Sequence, residues 1–278
     1  MTLRRNLHHS VLYLLQVLAF ILFAYPFFML LINSFKDNGE ILISPFALPA
    51  SYAPDQFIEA FTKMDFLVTF RNSFIITFFS VILIILFSAM TAHYLVRHKT
   101  RFNQLFFSSL VASMIIPFQV LMIPLIYIYG RQLNLLDVIP YPMLITFYIG
   151  FGSALSVFIY HGFVKGIPLE LEEASLIDGC TPKQVFFKIV FPLLLPTSVT
   201  IAILNTLWIW NDYLLPSLIL YRNELVTMPI KMKLFNGQYM NNWELLIPAI
   251  LLTVLPILVA YFFGQRYIIR GVMQGAIK

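Results

Sequence analysis

Residues 73–95 read Ser-Phe-Ile-Ile-Thr-Phe-Phe-Ser-Val-Ile-Leu-Ile-Ile-Leu-Phe-Ser-Ala-Met-Thr-Ala-His-Tyr-Leu, without a single Lys, Arg, Asp or Glu. Crossing bilayer hydrocarbon as a helix takes about 20 apolar residues. The run does not alternate polar and apolar side chains, as a membrane β-strand does. Backbone groups in lipid must be satisfied within the segment, which leaves a helix. Working outward, five further apolar runs of similar length lie at about 12–34, 105–129, 141–164, 191–211 and 245–265. Across 278 residues, 60% are apolar and only 11% charged, with mean hydropathy +0.84. A soluble domain needs far more charge to cover its surface. The expected fold is all-α: one polytopic membrane helical bundle over 1–278, with six transmembrane helices.

Positive residues set the orientation. With six spans both ends lie on one side, and that side collects Arg4, Arg5, Arg97, Lys99, Arg101, Lys165, Lys183, Lys188, Arg266, Arg270 and Lys278. Only four acids accompany them: Glu170, Glu172, Glu173 and Asp178. Acids outnumber bases on the other side. Both termini are therefore expected in the cytoplasm, and the net charge of +5 is a topology signal that needs no nucleic-acid partner. Arg4-Arg5 precede an apolar run too long for a signal peptide, and no small-residue cleavage site follows, so an uncleaved first span is expected. The lone Cys180 excludes an intrachain disulfide and a Cys-rich metal site.

The outer segment 35–72 is stiffened at its start by Pro45, Pro49 and Pro54. Phe57, Ile58 and Phe61 recur at helical spacing, which predicts a short surface helix over 55–64. Pro26, Pro117, Pro124, Pro192, Pro196, Pro248 and Pro256 fall within spans, where each tends to kink its helix. Trp208 and Trp210 suit an aromatic belt, and Arg71 and Asn72 suit the interface. Asn211 and Asp212 either line the outer mouth of a pathway or are polar groups at a helix end. No acid or base lies deep in a span, where ion-coupled carriers place such groups.

Several chemistries have no residues to carry them. There is no Gly-x-x-x-x-Gly-Lys-[Ser/Thr] loop for ATP phosphates, no His-Glu-x-x-His and no Gly-x-Ser-x-Gly. The five histidines sit near span ends. A catalytic role for this chain is not expected.

Residues 168–192 are instead a charged island between two apolar runs, reading as helix, hinge, helix. Pro168 suits a first helical turn. Glu170, Glu172 and Glu173 follow near the positive end of the helix dipole, and Leu169, Leu176 and Ile177 give a partial apolar face. Gly179 fits a left-handed C-cap. Thr181-Pro-Lys-Gln184 is a capping box, after which Val185, Phe186, Ile189 and Val190 recur at helical spacing. Such capping is surplus in a solvated linker and suits a projection that docks a partner.

Glu173-Ala174-Ser175, Asp178-Gly179, Phe186, Ile189 and Pro192 resemble the EAA loop of bacterial ABC importer permeases. Ser175 and Cys180 stand where that motif usually has alanine, and Phe191 precedes Pro192. The resemblance extends over most of the chain to the carbohydrate type, of which the maltose permeases are the best-known example. It includes Ser34-Phe35-Lys36 with Pro45-Phe46, Ile116-Pro117-Phe118-Gln119 with Ile123-Pro124, Trp210-Asn211-Asp212-Tyr213, and the tail Gln265-Arg266-Tyr267, Gly271 and Gly275-Ala276-Ile277-Lys278. It implies a multi-pass subunit of the bacterial cell membrane that imports a sugar or oligosaccharide. Its partners would be a second, related permease, two ATPase subunits, an extracytoplasmic substrate-binding protein and membrane lipid. ATP and Mg would sit on the ATPase, leaving this chain without a cofactor. Glu172, Glu173, Ala174, Ser175, Asp178, Gly179, Phe186, Ile189 and Pro192 would then form the ATPase-coupling loop, with the tail as a further contact. The rival readings are an importer for a polyamine, phosphate or sulfate, and a self-contained carrier or channel.

Overall fold

In the computed structural model, residues 2–235 and 242–276 are described, with side chains over 11–235 and 242–262. Among the described residues every regular element is a helix, and there are no strands. Two compact units divide the chain. Residues 1–66 and 231–255 form the first, and residues 67–230 and 256–278 the second.

The first unit carries α1 (Thr2–Asn33), α2 (Asn38–Ile43) and α3 (Asp55–Lys63). Helix α1 supplies the first span, Val11–Asn33, and runs unbroken through Pro26. The segment after it is folded by Ser34-Phe35-Lys36. Lys36 is fully buried, and its ammonium donates to the carbonyls of Ser44 at 2.9 Å and Pro45 at 3.3 Å. A buried charge is tolerated only with such partners. Asn33 donates to the same Pro45 carbonyl at 3.0 Å, and Phe35 packs on Phe57 of α3 with ring centres 5.2 Å apart. The surface helix expected over 55–64 is α3, with Ile58 exposed. Lys231 closes the unit by pairing with Asp65 at 2.7 Å.

The second unit holds α4 (Phe66–Arg97), α5 (Arg101–Ser113), α6 (Phe118–Leu125), α7 (Leu135–Val138) and α8 (Pro140–Val164). After these come α9 (Leu169–Ile177), α10 (Pro182–Val185), α11 (Phe191–Leu193), α12 (Leu195–Asn211) and α13 (Leu214–Ser217), while α14 (Met228–Met232) begins in this unit and ends in the first. Helix α15 (Trp243–Ala276) begins in the first unit and ends in the second, passing through Pro248 and Pro256 without a break.

Among the described residues four helices are long and apolar enough to cross a membrane unbroken: Val11–Asn33, Phe66–Arg97, Pro140–Val164 and Trp243–Phe262. The two remaining expected spans are not straight. Across residues 113–118 the chain bends by 98°, and between Leu193 and Leu195 by 73°. Counting each bent pair as one span gives six. Proline stands at both corners: Pro117 caps α6, and Pro196 opens α12. It removes a backbone donor and clashes with the preceding turn, so a span containing it bends where tertiary contacts allow. The continuous runs read over 105–129 and 191–211 are thus broken spans. Pro26, Pro248 and Pro256 show that proline alone does not force the break.

Helices α4, α8 and α12 meet along small and polar residues. Gly152 of α8 lies so near α4 and α12 that an added Cβ would fall 2.7 Å from Ile84 Cδ1 and 2.8 Å from Asn205 Oδ1. Asn205 donates to Ser156 at 3.2 Å, and Tyr160 donates to Ser198 at 2.6 Å. Lipid gives helices no hydrophobic reason to associate, so close approach and interhelical hydrogen bonds hold the bundle. Two apolar clusters flank this seam. One gathers Ala89, Ala92, Val157, Tyr160, Val190 and Ile201, the other Ile76, Ile84, Leu144, Tyr148, Ile209 and Ile219.

Candidate functional site: a braced helical loop between spans

The loop 168–192 carries two caps in succession. Pro168 is the N-cap of α9, one residue earlier than its expected place in the first turn. At the other end Gly179 has φ +89°, a conformation that costs an L-residue with a side chain about 1–2 kcal/mol. The Gly179 amide donates to the Leu176 carbonyl at 3.1 Å, and the Cys180 amide donates to Ser175 at 3.0 Å. These two bonds make a Schellman cap, which satisfies carbonyls that the helix end leaves orphaned. Thr181 then opens α10 with the expected capping box: its amide donates to Gln184 Oε1 at 2.8 Å, and the Gln184 amide donates back to its hydroxyl at 3.3 Å.

A long-range anchor that sequence reasoning missed fixes α9 to α4. Glu172 is 6% exposed. Its Oε1 accepts from Arg97 Nε at 2.8 Å and Nη2 at 2.6 Å, and its Oε2 contacts His93 Nε2 at 2.8 Å. Arg97 also donates to the Ile167 carbonyl at 3.0 Å, tying the chain just before α9. Burial pushes the Glu172 carboxyl up, but Arg97 and His93 outweigh it and hold the group below the usual carboxylate range. Glu172 was expected among the docking residues, and His93 at the interface. The structure commits both to this brace. The signal was the spacing of His93 and Arg97, one helical turn apart on α4; nothing in the sequence pairs them with residue 172.

The neighbouring positions lie on an adjacent, open face of α9. Leu169, Glu173 and Ile177 stand at i, i+4 and i+8 on one stripe of α9, and all three are exposed, Ile177 by 86%. Ala174, Asp178 and Gly179 are exposed too, while Ser175 is half-buried and donates to the Leu171 carbonyl at 2.7 Å. A Cβ at Gly179 would meet nothing within 4 Å. Exposed leucine and isoleucine are ordinary on a span that faces lipid. Here they stand on a charged loop between spans, beside the exposed carboxylate of Glu173.

Phe186 does not belong to that surface. It is 6% exposed and packs within the apolar cluster of Val164, Val185, Val190 and Leu194, its ring 5.5 Å from that of His93. Its expected part in ATPase docking therefore gives way to packing against this chain's own helices. Ile189 is half-buried, and Pro192 is exposed at the start of α11.

The other candidate region, Asn211 and Asp212, separates into two roles. Asn211 is exposed and donates back to the Leu207 carbonyl at 2.8 Å. Asp212 lines a cleft of about 680 Å³ together with Gln119, Tyr129, Phe147 and Trp208. Its carboxylate accepts from Tyr148 at 2.9 Å and from the Leu214 amide at 3.0 Å. Burial raises the Asp212 carboxyl above its ordinary value, and the bonds from Tyr148, Leu214 and Leu215 oppose that shift incompletely. Trp210 is buried against Phe70 at 5.8 Å, so it is no part of an aromatic belt. Asn72 is likewise buried, not interfacial, and donates to the carbonyls of Glu224 at 2.8 Å and Val226 at 3.0 Å. The side chains of the C-terminal tail from Gln265 to Lys278 lie outside the described residues.

Fold and loop together define a polytopic α-helical membrane protein with one braced, partly apolar helix set between two spans. Residues 84–274 match the family model described as "Binding-protein-dependent transport system inner membrane component", and the chain belongs to that family of transporter components. It is 38% identical over 273 residues to the "Probable starch degradation products transport system permease protein AmyC" of Thermoanaerobacterium thermosulfurigenes, covering 97% of this chain and 98% of that relative. It is 36% identical to the "Melibiose/raffinose/stachyose import permease protein MelC" of Bacillus subtilis, over 91% of each chain. Among solved structures, a chain of a bacterial ABC transporter that imports the acidic polysaccharide alginate superposes with a TM-score of 0.75. That match covers 95% of this chain and 96% of the other at 22% identity, and it bears on the fold alone.

Proposed function

We propose that this chain is the membrane permease subunit of a binding-protein-dependent ABC importer for a sugar or oligosaccharide, and that α9 is the helix through which a partner ATPase drives it. The observation that carries the coupling part is the exposed stripe Leu169–Glu173–Ile177, which lies beside a residue, Glu172, that ties the same helix to α4. One face is held by the permease and the adjacent face is open to a partner. Sugar as the cargo is supported by relatives named for starch degradation products, for melibiose, raffinose and stachyose, and for arabinooligosaccharides.

In this reading two ATPase subunits, a second, related permease and an extracytoplasmic substrate-binding protein complete the importer. ATP and Mg act on the ATPase, and this chain does no bond chemistry. Both termini and the loop 168–192 face the cytoplasm of a bacterial cell. Closure of the ATPase pair on ATP displaces α9, and the Arg97–Glu172 bridge passes that displacement to α4. A stiff lever and a bistable bundle are what such switching needs. Glu173 and Asp178 supply polar contacts to the ATPase, and Gly179 allows close backbone approach.

Two substitutions at one position separate conformation from docking. Asparagine tolerates left-handed backbone better than other side-chain-bearing residues, so Gly179→Asn largely keeps the cap while filling the open space beyond it. Gly179→Asp adds charge there as well. Both variants are expected to insert, with uptake of labelled oligosaccharide lost and ATP hydrolysis by the assembled importer uncoupled from it. Normal uptake by Gly179→Asp would show that the loop is not the coupling element.

A further inference from the structure

Two cavities adjoin in the second unit, where α4 gives way to α5 and α8 gives way to α9. The larger, about 890 Å³, is walled mainly by Phe107, Phe158, Phe163, Leu171 and Leu193. The smaller, about 310 Å³, is lined by Lys99, Asn103, Gln104, Ser108 and Lys165 among others. Phe107, His161 and Lys165 belong to both walls, so the polar cavity opens directly beside the apolar one. The His161 ring lies flat on Phe107, their centres 3.9 Å apart.

Charge at this place is one-sided. No Asp or Glu lines either cavity. Among the described residues neither Lys99 nor Lys165 has a hydrogen-bond or ion-pair partner, and both are exposed. The nearby Arg97 is spent on Glu172. Gln104 and Ser108 add exposed polar groups to the same cavity wall. The candidate spans Phe66–Arg97 and Pro140–Val164 end one or two residues before these lysines, the place where a span meets lipid headgroups. Basic pockets between spans at the cytoplasmic face take anionic headgroups.

We propose that these joined cavities bind one anionic phospholipid, its phosphate held by Lys99 and Lys165 and its acyl chains lying along Phe107, Phe158 and Phe163. A free phosphate would use the small cavity and have no use for the aromatic one. The apolar cavity reaches Gly166, Ile167, Pro168 and Leu171, so the lipid lies against the root of α9 and bears on its position. This inference rests on the cytoplasmic placement of the loop given above.

The test uses the assembled importer, extracted in mild detergent with equal amounts of phosphatidylglycerol and phosphatidylcholine and read by native mass spectrometry. Phosphatidylglycerol is expected to be retained preferentially. Lys99→Gln and Lys165→Gln should each weaken that preference by about fivefold, the effect of one basic residue near an anionic surface. The double substitution should abolish it, and Arg131→Gln on α6's continuation should leave it unchanged. In the unsubstituted importer, photoactivatable phosphatidylglycerol should label peptides containing Phe107 or Phe163, a result independent of how the variants fold. Equal retention of both lipids, a preference that survives the double substitution, or labelling only elsewhere overturns the proposal. So does displacement of the lipid by millimolar inorganic phosphate, which would mark a free-anion site, or crosslinking of Phe107 to a partner subunit instead of lipid. Uptake and ATPase co-purification are measured on the same preparation. An importer that assembles and transports without lipid preference sinks this inference alone, whereas a chain that brings no ATPase sinks the function beneath it.

Discussion

The loop 168–192 and the segment 212–230, the outer segment of the proposed topology, are both non-spanning pieces of the second unit, yet they are held by opposite means. The loop is shaped from within: Schellman cap, capping box and proline starts all act over at most five residues. One ionic bridge, Glu172 to Arg97, then fastens the finished shape to a span. The outer segment has little shape of its own and is stapled by residues far along the chain. Asn72 holds two of its carbonyls, Ser73 accepts from the Met228 amide at 2.9 Å, and Tyr141 donates to Leu225 at 3.1 Å. Tyr221 and Asp137 pair across the same region. A locally capped helix keeps its form when pushed as a lever. A stapled segment keeps its form only while the spans beneath it stay put.

Removing single groups should expose that difference. Arg97→Gln leaves the Glu172 carboxylate buried without its main partner, and breaking such a pair costs about 3–5 kcal/mol. The expected outcome is a large drop in melting temperature, with α9 opened to protease while the outer segment stays resistant. Asn72→Ala takes the donor from the Glu224 carbonyl and from the buried Val226 carbonyl, the latter costing about 1–3 kcal/mol, and should do the reverse. Protease should then reach residues 221–227 from outside, with ATPase co-purification intact. Gly179→Ala adds about 1–2 kcal/mol of backbone strain, confined to the loop. Thr181→Ala loses about 1 kcal/mol with the cap, and should loosen α10 without detaching α9 from α4. Loop protection that depends on Asn72, or outer protection that depends on Gly179, would break the contrast.

The two regions should also answer pH in opposite senses. Glu172 is held below its ordinary range, so its contribution is complete above the unfolded value of about 4.3 and is lost only as pH falls through the lowered one. The Glu172 carboxylate, and with it the ion pair to Arg97, is therefore kept through neutral and mildly acidic pH. Asp212 is raised, so its relative stability is complete below the unfolded value of about 3.9 and is lost as pH rises through the raised one. Asp212→Asn should accordingly gain melting temperature on the parent as pH climbs from about 4 to about 7, an effect smaller than any above. A difference that is flat with pH, or that shrinks on the way up, would show that burial does not govern Asp212.

What could be read from the sequence follows the same division. The unbroken spans were legible because twenty or so uncharged apolar residues can do little else in lipid. Gly179 and the Thr181–Gln184 box were legible because their partners lie within a few residues. The pairing of Glu172 with Arg97 and His93 was not, since it joins positions about 75 residues apart in sequence. The same limit misplaced Phe186, whose helical spacing does not say whether its apolar face meets a partner or its own bundle. Asn72 and Trp210 looked interfacial for their residue types, and only the folded chain shows them buried. Proline at positions 117 and 196 bends its span while proline at 26, 248 and 256 does not, which depends on packing that no local pattern encodes.

The central claim is that the open face of α9 seats on a separate ATPase. Glu173→Cys and Asp178→Cys, each introduced with Cys180→Ser, place single thiols on that face and at the exposed C-cap of α9 for crosslinking in inside-out membrane vesicles that carry the whole importer. The account predicts an adduct of this chain with the ATPase subunit whose yield changes when ATP is added. No ATPase adduct from either position, or labelling of these thiols by an impermeant reagent applied to the outside of intact cells, would contradict it.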